Sequence, residues 1–118
     1  MSAKKRPSPP SEIQGEALLE WERICDDLET SGNLDKADRA ILVVYVGTWE
    51  IHQAAMRGVV AHGAVVKHPN GVAGPSPFYK VGMETGKCLA RLLESLGLTP
   101  AARARMKPVE VTVEDEDF

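Results

Sequence analysis

Apolar residues recur at steps of three and four near the start of the chain. Ile13, Ala17, Trp21, Ile24 and Leu28 form one stripe, which Leu18 and Cys25 widen. Acids fill the opposite side. This spacing predicts an amphipathic helix over about 11–31. Ser11 stands where an N-cap would, and Gln14 follows three residues later, as in a capping box. Glu12 and Glu16 suit the positive end of the helix dipole. Gly32 and Asn33 supply the stop.

A second run extends from about Asp35 to His62. Ala37, Ile41, Tyr45, Thr48, His52, Ala55 and Val59 form its stripe. Leu42, Val43, Val44, Val46 and Trp49 make its first half apolar nearly all round. A helix apolar on every side is buried on every side. In a chain of 118 residues that implies another subunit over one face. The β-branched stretch Ile41 to Val46 also reads as a strand, but the flanking period and the length favour a helix. Asp35 or Asp38 is placed to cap it.

After Gly63 the pattern changes. Ala64 to Lys67 is short and β-prone, Pro69-Asn70-Gly71 signals a turn, and Val72-Ala73 can return as a second strand. The reading is a small β-hairpin or a long loop. A two-stranded hairpin is marginal alone, so it should lie on a helix or on a neighbouring copy. Ser76-Pro77 then caps and opens a third long helix. Val81, Thr85, Cys88, Leu89, Leu92, Leu93 and Leu96 give its period. Gly82 and Gly86 weaken its first half and permit close packing. Gly97 stops it. Thr99 caps and Pro100 opens a last short helix ending before Pro108. Arg103 and Arg105 sit two apart on it, so they diverge by about 200°. One is expected to pair with an acidic face and the other to meet solvent or a phosphate.

The fold class is therefore mainly α: a small helical domain with a short β-hairpin between the second and third long helices. Residues 11–107 form the body. Residues 1–10 are basic and proline-rich, residues 108–118 are acidic, and both ends read as flexible for lack of apolar surface.

Composition adds a charge asymmetry. The net charge is −3, yet residues 1–10 carry +3, 11–38 carry −7, 39–107 carry +6 and the tail carries −5. Blocks of opposite sign suit head-to-tail contacts between copies, or a polyanion on one face. No apolar run is long enough for a membrane span, and no apolar run follows the N-terminal charges as a secretory signal would require. Without that signal, Cys25 and Cys88 read as reduced core residues rather than a disulfide.

Catalytic motifs are missing. Gly82-Met83-Glu84-Thr85-Gly86-Lys87-Cys88 is not a P-loop: three residues separate the glycines instead of four, and Cys88 stands where Ser or Thr should. His52, His62 and His68 do not form a metal set with the two separated cysteines. His52 is expected on a helix-packing surface, and His62 and His68 beside the hairpin. The chain reads as a non-enzyme with no cofactor and no metal.

Several spaced residues nonetheless form a pattern. Leu18-x-x-Trp21-x-x-Ile24-Cys25-x-x-Leu28 is followed by Gly32-x-Leu34-x-x-x-Asp38 and by Tyr45-x-x-x-Trp49. "GAVVKHPNG" (63–71) precedes "SPFYKVG" (76–82), and "LGLTPAARARM" (96–106) closes the body. Together these resemble the phage terminase small subunit family over about residues 15–107. The family often has Asn-Pro where this chain has Ser76-Pro77, which changes the cap and not the corner. The resemblance implies a non-catalytic packaging factor in the cytoplasm of an infected bacterial host. It would assemble into a homo-oligomeric ring, recognise double-stranded viral DNA, and recruit or regulate the terminase large subunit, which holds the ATPase and nuclease. Candidate DNA contacts are Lys4, Lys5, Arg6, Arg39, Arg57, Lys67, Arg103 and Arg105. Candidate subunit contacts are Val44, Tyr45, Trp49, Val59 and Val60. The alternative is a small dimeric transcriptional regulator using the first two helices as a helix-turn-helix. Its recognition helix would be apolar after Arg39, leaving few side chains for base edges.

Overall fold

The computed structural model describes residues 6–34 and 39–106. The element order is α1 (Glu16–Ser31), α2 (Arg39–His62), β1 (Val65–Lys67), β2 (Ala73–Pro75), α3 (Pro77–Ser95) and α4 (Pro100–Met106). The mainly helical class and the hairpin between the second and third long helices follow the sequence pattern.

The first helix starts later than its apolar stripe. Gly15 has φ 62°, a left-handed conformation that glycine tolerates, and α1 begins only after it. Ser11 is not its cap; Ser11 instead offers its carbonyl oxygen to Gln14 Nε2 at 3.1 Å, in a turn. Ile13 keeps its place in the core because that turn folds it inward. The C-terminus ends as expected. Gly32 has φ 81°, its N–H donates to Glu29 O, and Asn33 N donates to Leu28 O at 2.8 Å. The proposed caps of α2, Asp35 and Asp38, lie outside the described residues.

Residues 6–10 run along α1 instead of standing apart from the body. Trp21 Nε1 donates to Pro7 O at 3.2 Å, and Arg39 Nε donates to Ser8 O at 2.6 Å. Buried Trp21 needs an acceptor for its indole N–H, and this segment supplies it.

Trp21, Ile24, Cys25 and Leu28 of α1 meet Leu42, Tyr45 and Val46 of α2, with Leu34 and Leu96 closing the ends. Each large side chain buried there contributes about 1.5–3 kcal/mol. Past this core, α2 and α3 continue as an antiparallel pair. The hairpin β1–β2 joins them, pairing Val65 with Pro75 and Lys67 with Ala73. Asn70 Oδ1 accepts from Val72 N at 3.0 Å, and Gly71 has φ 88°, which fixes the turn. Ser76 ties hairpin to helix: its N–H donates to Ala64 O, and its Oγ accepts from Tyr79 N.

The corner after α3 is built as its residues dictate. Gly97 has φ 77°, and Leu98 N donates to Leu93 O at 2.9 Å. Thr99 Oγ1 then accepts from Ala102 N at 3.1 Å to cap α4. The molecule is elongated. Its radius of gyration is 19.1 Å, against about 13 Å for a compact domain of this length.

Candidate nucleic-acid and self-association surfaces

Beside the apolar core, one buried polar cluster joins α1 to α2. The Glu20 carboxylate is only 6% exposed and is held by Arg23 Nε and Nη2 at 2.8 and 2.6 Å. Tyr45 Oη donates to the same carboxylate at 2.7 Å. Burial first, then the hydrogen bond to Glu20, push the Tyr45 hydroxyl above its ordinary range. The same carboxylate raises the Arg23 guanidinium, so it stays charged. Tyr45 is therefore an interior residue of its own subunit. Its phenol is engaged by α1 within the chain.

The other self-association candidates divide. Trp49 and Val59 are half-buried, Trp49 against the core. Val44 is 54% exposed and Val60 is 85% exposed. Ile51, Met56, Phe78, Tyr79, Val81 and Met83 extend the exposed apolar surface, all on α2 and α3. Two glycines set how closely these helices meet. A Cβ on Gly58 would lie 2.3 Å from the Phe78 ring, and one on Gly82 would lie 3.0 Å from Met56 Sδ. His52 lies in this packing surface, its Nδ1 2.8 Å from Thr85 Oγ1. His62 stacks on Phe78, and His68 Nε2 is 3.0 Å from Pro75 O.

Four of the candidate DNA cations have partners within the chain. Arg6 binds Glu22 at 3.2 Å, Glu29 at 2.7 Å and also Asp26, and the hydrogen bonds to Glu29 and Asp26 raise its pKa. Arg39 donates to Ser8 O. Arg103 Nη1 donates to Leu98 O at 2.8 Å, and Arg105 pairs with Glu94 at 2.6 Å. The predicted divergence of the last two arginines does give one ion pair. Its partner is the last turn of α3, because α4 folds back on it at the Gly97 corner. Lys4 and Lys5, like the acidic tail 108–118, lie outside the described residues.

Arg57 and Lys67 stay exposed, with no ion pair to a described residue. Three cations not singled out from the sequence join them. Lys80, Lys87 and Arg91 are exposed on α3 and have no ion pair to a described residue either. Steps of seven and four put them on one line of the helix, about 16 Å long. That spacing was visible in the sequence. What hid it was Glu84, which shares the line, and the lack of any view of which face α2 would cover. Gly82 and Thr85 face α2, so the line of cations points away from it.

Among the described residues, no group of His, Cys, Asp and Glu is arranged to hold a metal ion. No described helix is long and apolar enough to cross a membrane. Cys25 and Cys88 are both free thiols. Burial raises the Cys25 pKa. Cys88 is exposed, which corrects its reading as a core residue: its turn of α3 has no helix over that side.

The first turns of α2 bury Leu42, Tyr45 and Val46 under α1 and leave Val44 exposed on the opposite side. No curated protein and no solved structure matches the chain. The family described as "Phage terminase, small subunit" matches it over residues 17–112, from α1 to beyond α4. The chain belongs to the phage terminase small subunit family.

Proposed function

We propose that this small subunit acts as a ring-forming adaptor in phage genome packaging. It binds double-stranded viral DNA and recruits or regulates the large subunit that carries ATPase and nuclease activity. The chain itself supplies no catalysis. The observation that carries this reading is the unneutralised cationic edge of the α2–α3 hairpin in a protein of net charge −3. Lys80, Lys87 and Arg91 lie there, and Arg57 and Lys67 elsewhere on the hairpin, without acid partners among the described residues, while acids of α1 are engaged by Arg6 and Arg23. The uncovered apolar residues of the same hairpin support self-association.

Fluorescence anisotropy with duplex DNA at several salt concentrations tests the DNA contact, and light scattering after size exclusion tests the ring. Phosphate neutralisation makes log K fall linearly with log salt, by about 0.9 for each phosphate engaged. The variant Lys80→Ala/Lys87→Ala/Arg91→Ala is expected to weaken binding and to reduce the slope by roughly 1 for each phosphate it no longer neutralises. Unchanged affinity and slope would refute the cationic edge as the DNA surface.

A further inference from the structure

The α2–α3 hairpin is a layer one helix thick and two helices wide, with two broad faces and two edges. On the front, Met56, Tyr79 and Met83 line an apolar groove of about 410 Å³, with Gly82 and Gly86 among its walls. Val60 follows Met56 by one turn on the same side. On the back, Val44, Ile51 and Gly58 fall on one line of α2. That line is rotated roughly 150° from Met56 and Val60 at 100° per residue. The Phe78 ring lies against Gly58 and continues this back face. Val44 and Ile51 are each 54% exposed. Both faces are therefore apolar, and they are different surfaces.

Cover within the subunit is partial. Helix α1 reaches the front only as far as Trp49 and Gln53, beside Glu16 and Leu19. The groove begins beyond that point, at His52 and Met56. Val44, Ile51, Met56, Val60 and Met83 are 41–85% exposed, so the described residues of the subunit leave both faces open. Charge is confined to the edges: Lys80, Lys87 and Arg91 along α3, Glu50 and Arg57 along the far side of α2. Only Lys87 reaches the groove rim. Closing the faces thus desolvates little charge.

We propose that the back face of one copy, through Val44 and Ile51, seats in the front groove of a second copy, between Met56 and Met83. This deepens the ring reading above and rests on it. An isologous dimer covers one face and leaves the other wet. A front-to-back contact covers both with one interface, and it closes into a ring when its rotation closes. Val44 and Ile51 stand about 10.5 Å apart along α2. The bare Gly82 and Gly86 leave the hollow that such side chains fill. In this arrangement every α3 edge stays at the surface, so the cationic lines of successive copies repeat around the ring.

Two double variants test the contact: Val60→Glu/Met83→Glu on the front and Val44→Glu/Ile51→Glu on the back, each compared with wild type by circular dichroism and light scattering. Each alone is expected to be a monomer of about 12.8 kDa. Mixed at equal concentration, they are expected to form a heterodimer of twice that mass, through the one intact interface. A dimer from either variant alone would mean an isologous contact and would overturn the proposal. So would a mixture that stays monomeric while both variants keep wild-type helicity. A crosslinking arm avoids disruptive charges. In a Cys88→Ser background, Ile51→Cys and Met83→Cys chains should crosslink when mixed and not with themselves; self-crosslinking instead overturns the front-to-back contact. A wild-type monomer would sink the ring reading itself. A wild-type ring without the heterodimer or the mixed crosslink sinks only this interface.

Discussion

Replacing Tyr45 by Phe removes one oxygen from the contact that holds α1 on α2. The ring stays, so no cavity beyond the hydroxyl is made. The bond removed is a 2.7 Å hydrogen bond to a carboxylate, between groups 2% and 6% exposed. A hydrogen bond to a charged group is worth about 1.5–3 kcal/mol. Arg23 still grips both oxygens of Glu20, so the carboxylate is not abandoned and the lower end applies. A loss of about 1.5 kcal/mol is expected, or roughly 6–12 °C in the melting temperature of a domain this size. Urea unfolding followed by tryptophan fluorescence, at one fixed protomer concentration, measures it.

The pH dependence gives a second readout. The Tyr45 pKa is raised in the folded state, so the folded chain holds its phenolic proton where the unfolded chain has released it. Its contribution is complete below about pH 10 and is lost as pH rises from there through the folded value. The slope is about 1.4 kcal/mol per pH unit for one proton. The Phe variant lacks that part of the alkaline decline and keeps the part from Cys25, whose raised pKa acts with the same sign. A variant within about 0.5 kcal/mol of wild type, below what even a weak buried hydrogen bond is worth, would refute the role assigned to this cluster. An unchanged decline above pH 10 would refute the linkage.

Two further substitutions probe the corners. Ser76→Ala removes the acceptor for Tyr79 N at the start of α3 and should cost about 1 kcal/mol in urea unfolding, with the loss of order near the hairpin visible by hydrogen exchange. Gly97→Ala forces a side chain into φ 77° and should cost about 1 kcal/mol; no measurable change in the unfolding midpoint would mean the corner relaxes.

Local signals were legible because their partners are three or four residues away. Ser76, Thr99, Gly32 and Gly97 do in the structure what their types and spacing require. The periods of the three long helices and the Asn70-Gly71 turn were equally readable. Gly15 was the local exception: its position inside an apolar stripe concealed a left-handed residue, which moved the start of α1 to Glu16.

The candidate surfaces were legible only in part, since a long side chain's partner depends on which elements meet. Arg6 finds Glu29, 23 residues away, and Tyr45 finds Glu20, 25 residues away. Neither separation has a signature in spacing. The sequence by itself determined which residues are cationic, which helices are amphipathic and where each one stops. The tertiary structure decided which cations are spent in ion pairs and which, on the outer line of α3, are left over. It also decided that the apolar excess of the second helix splits into an α1-covered half and two open faces. The reason is geometric: a helix's own pattern marks a side as apolar, but only the placement of its neighbours says whether that side is already covered.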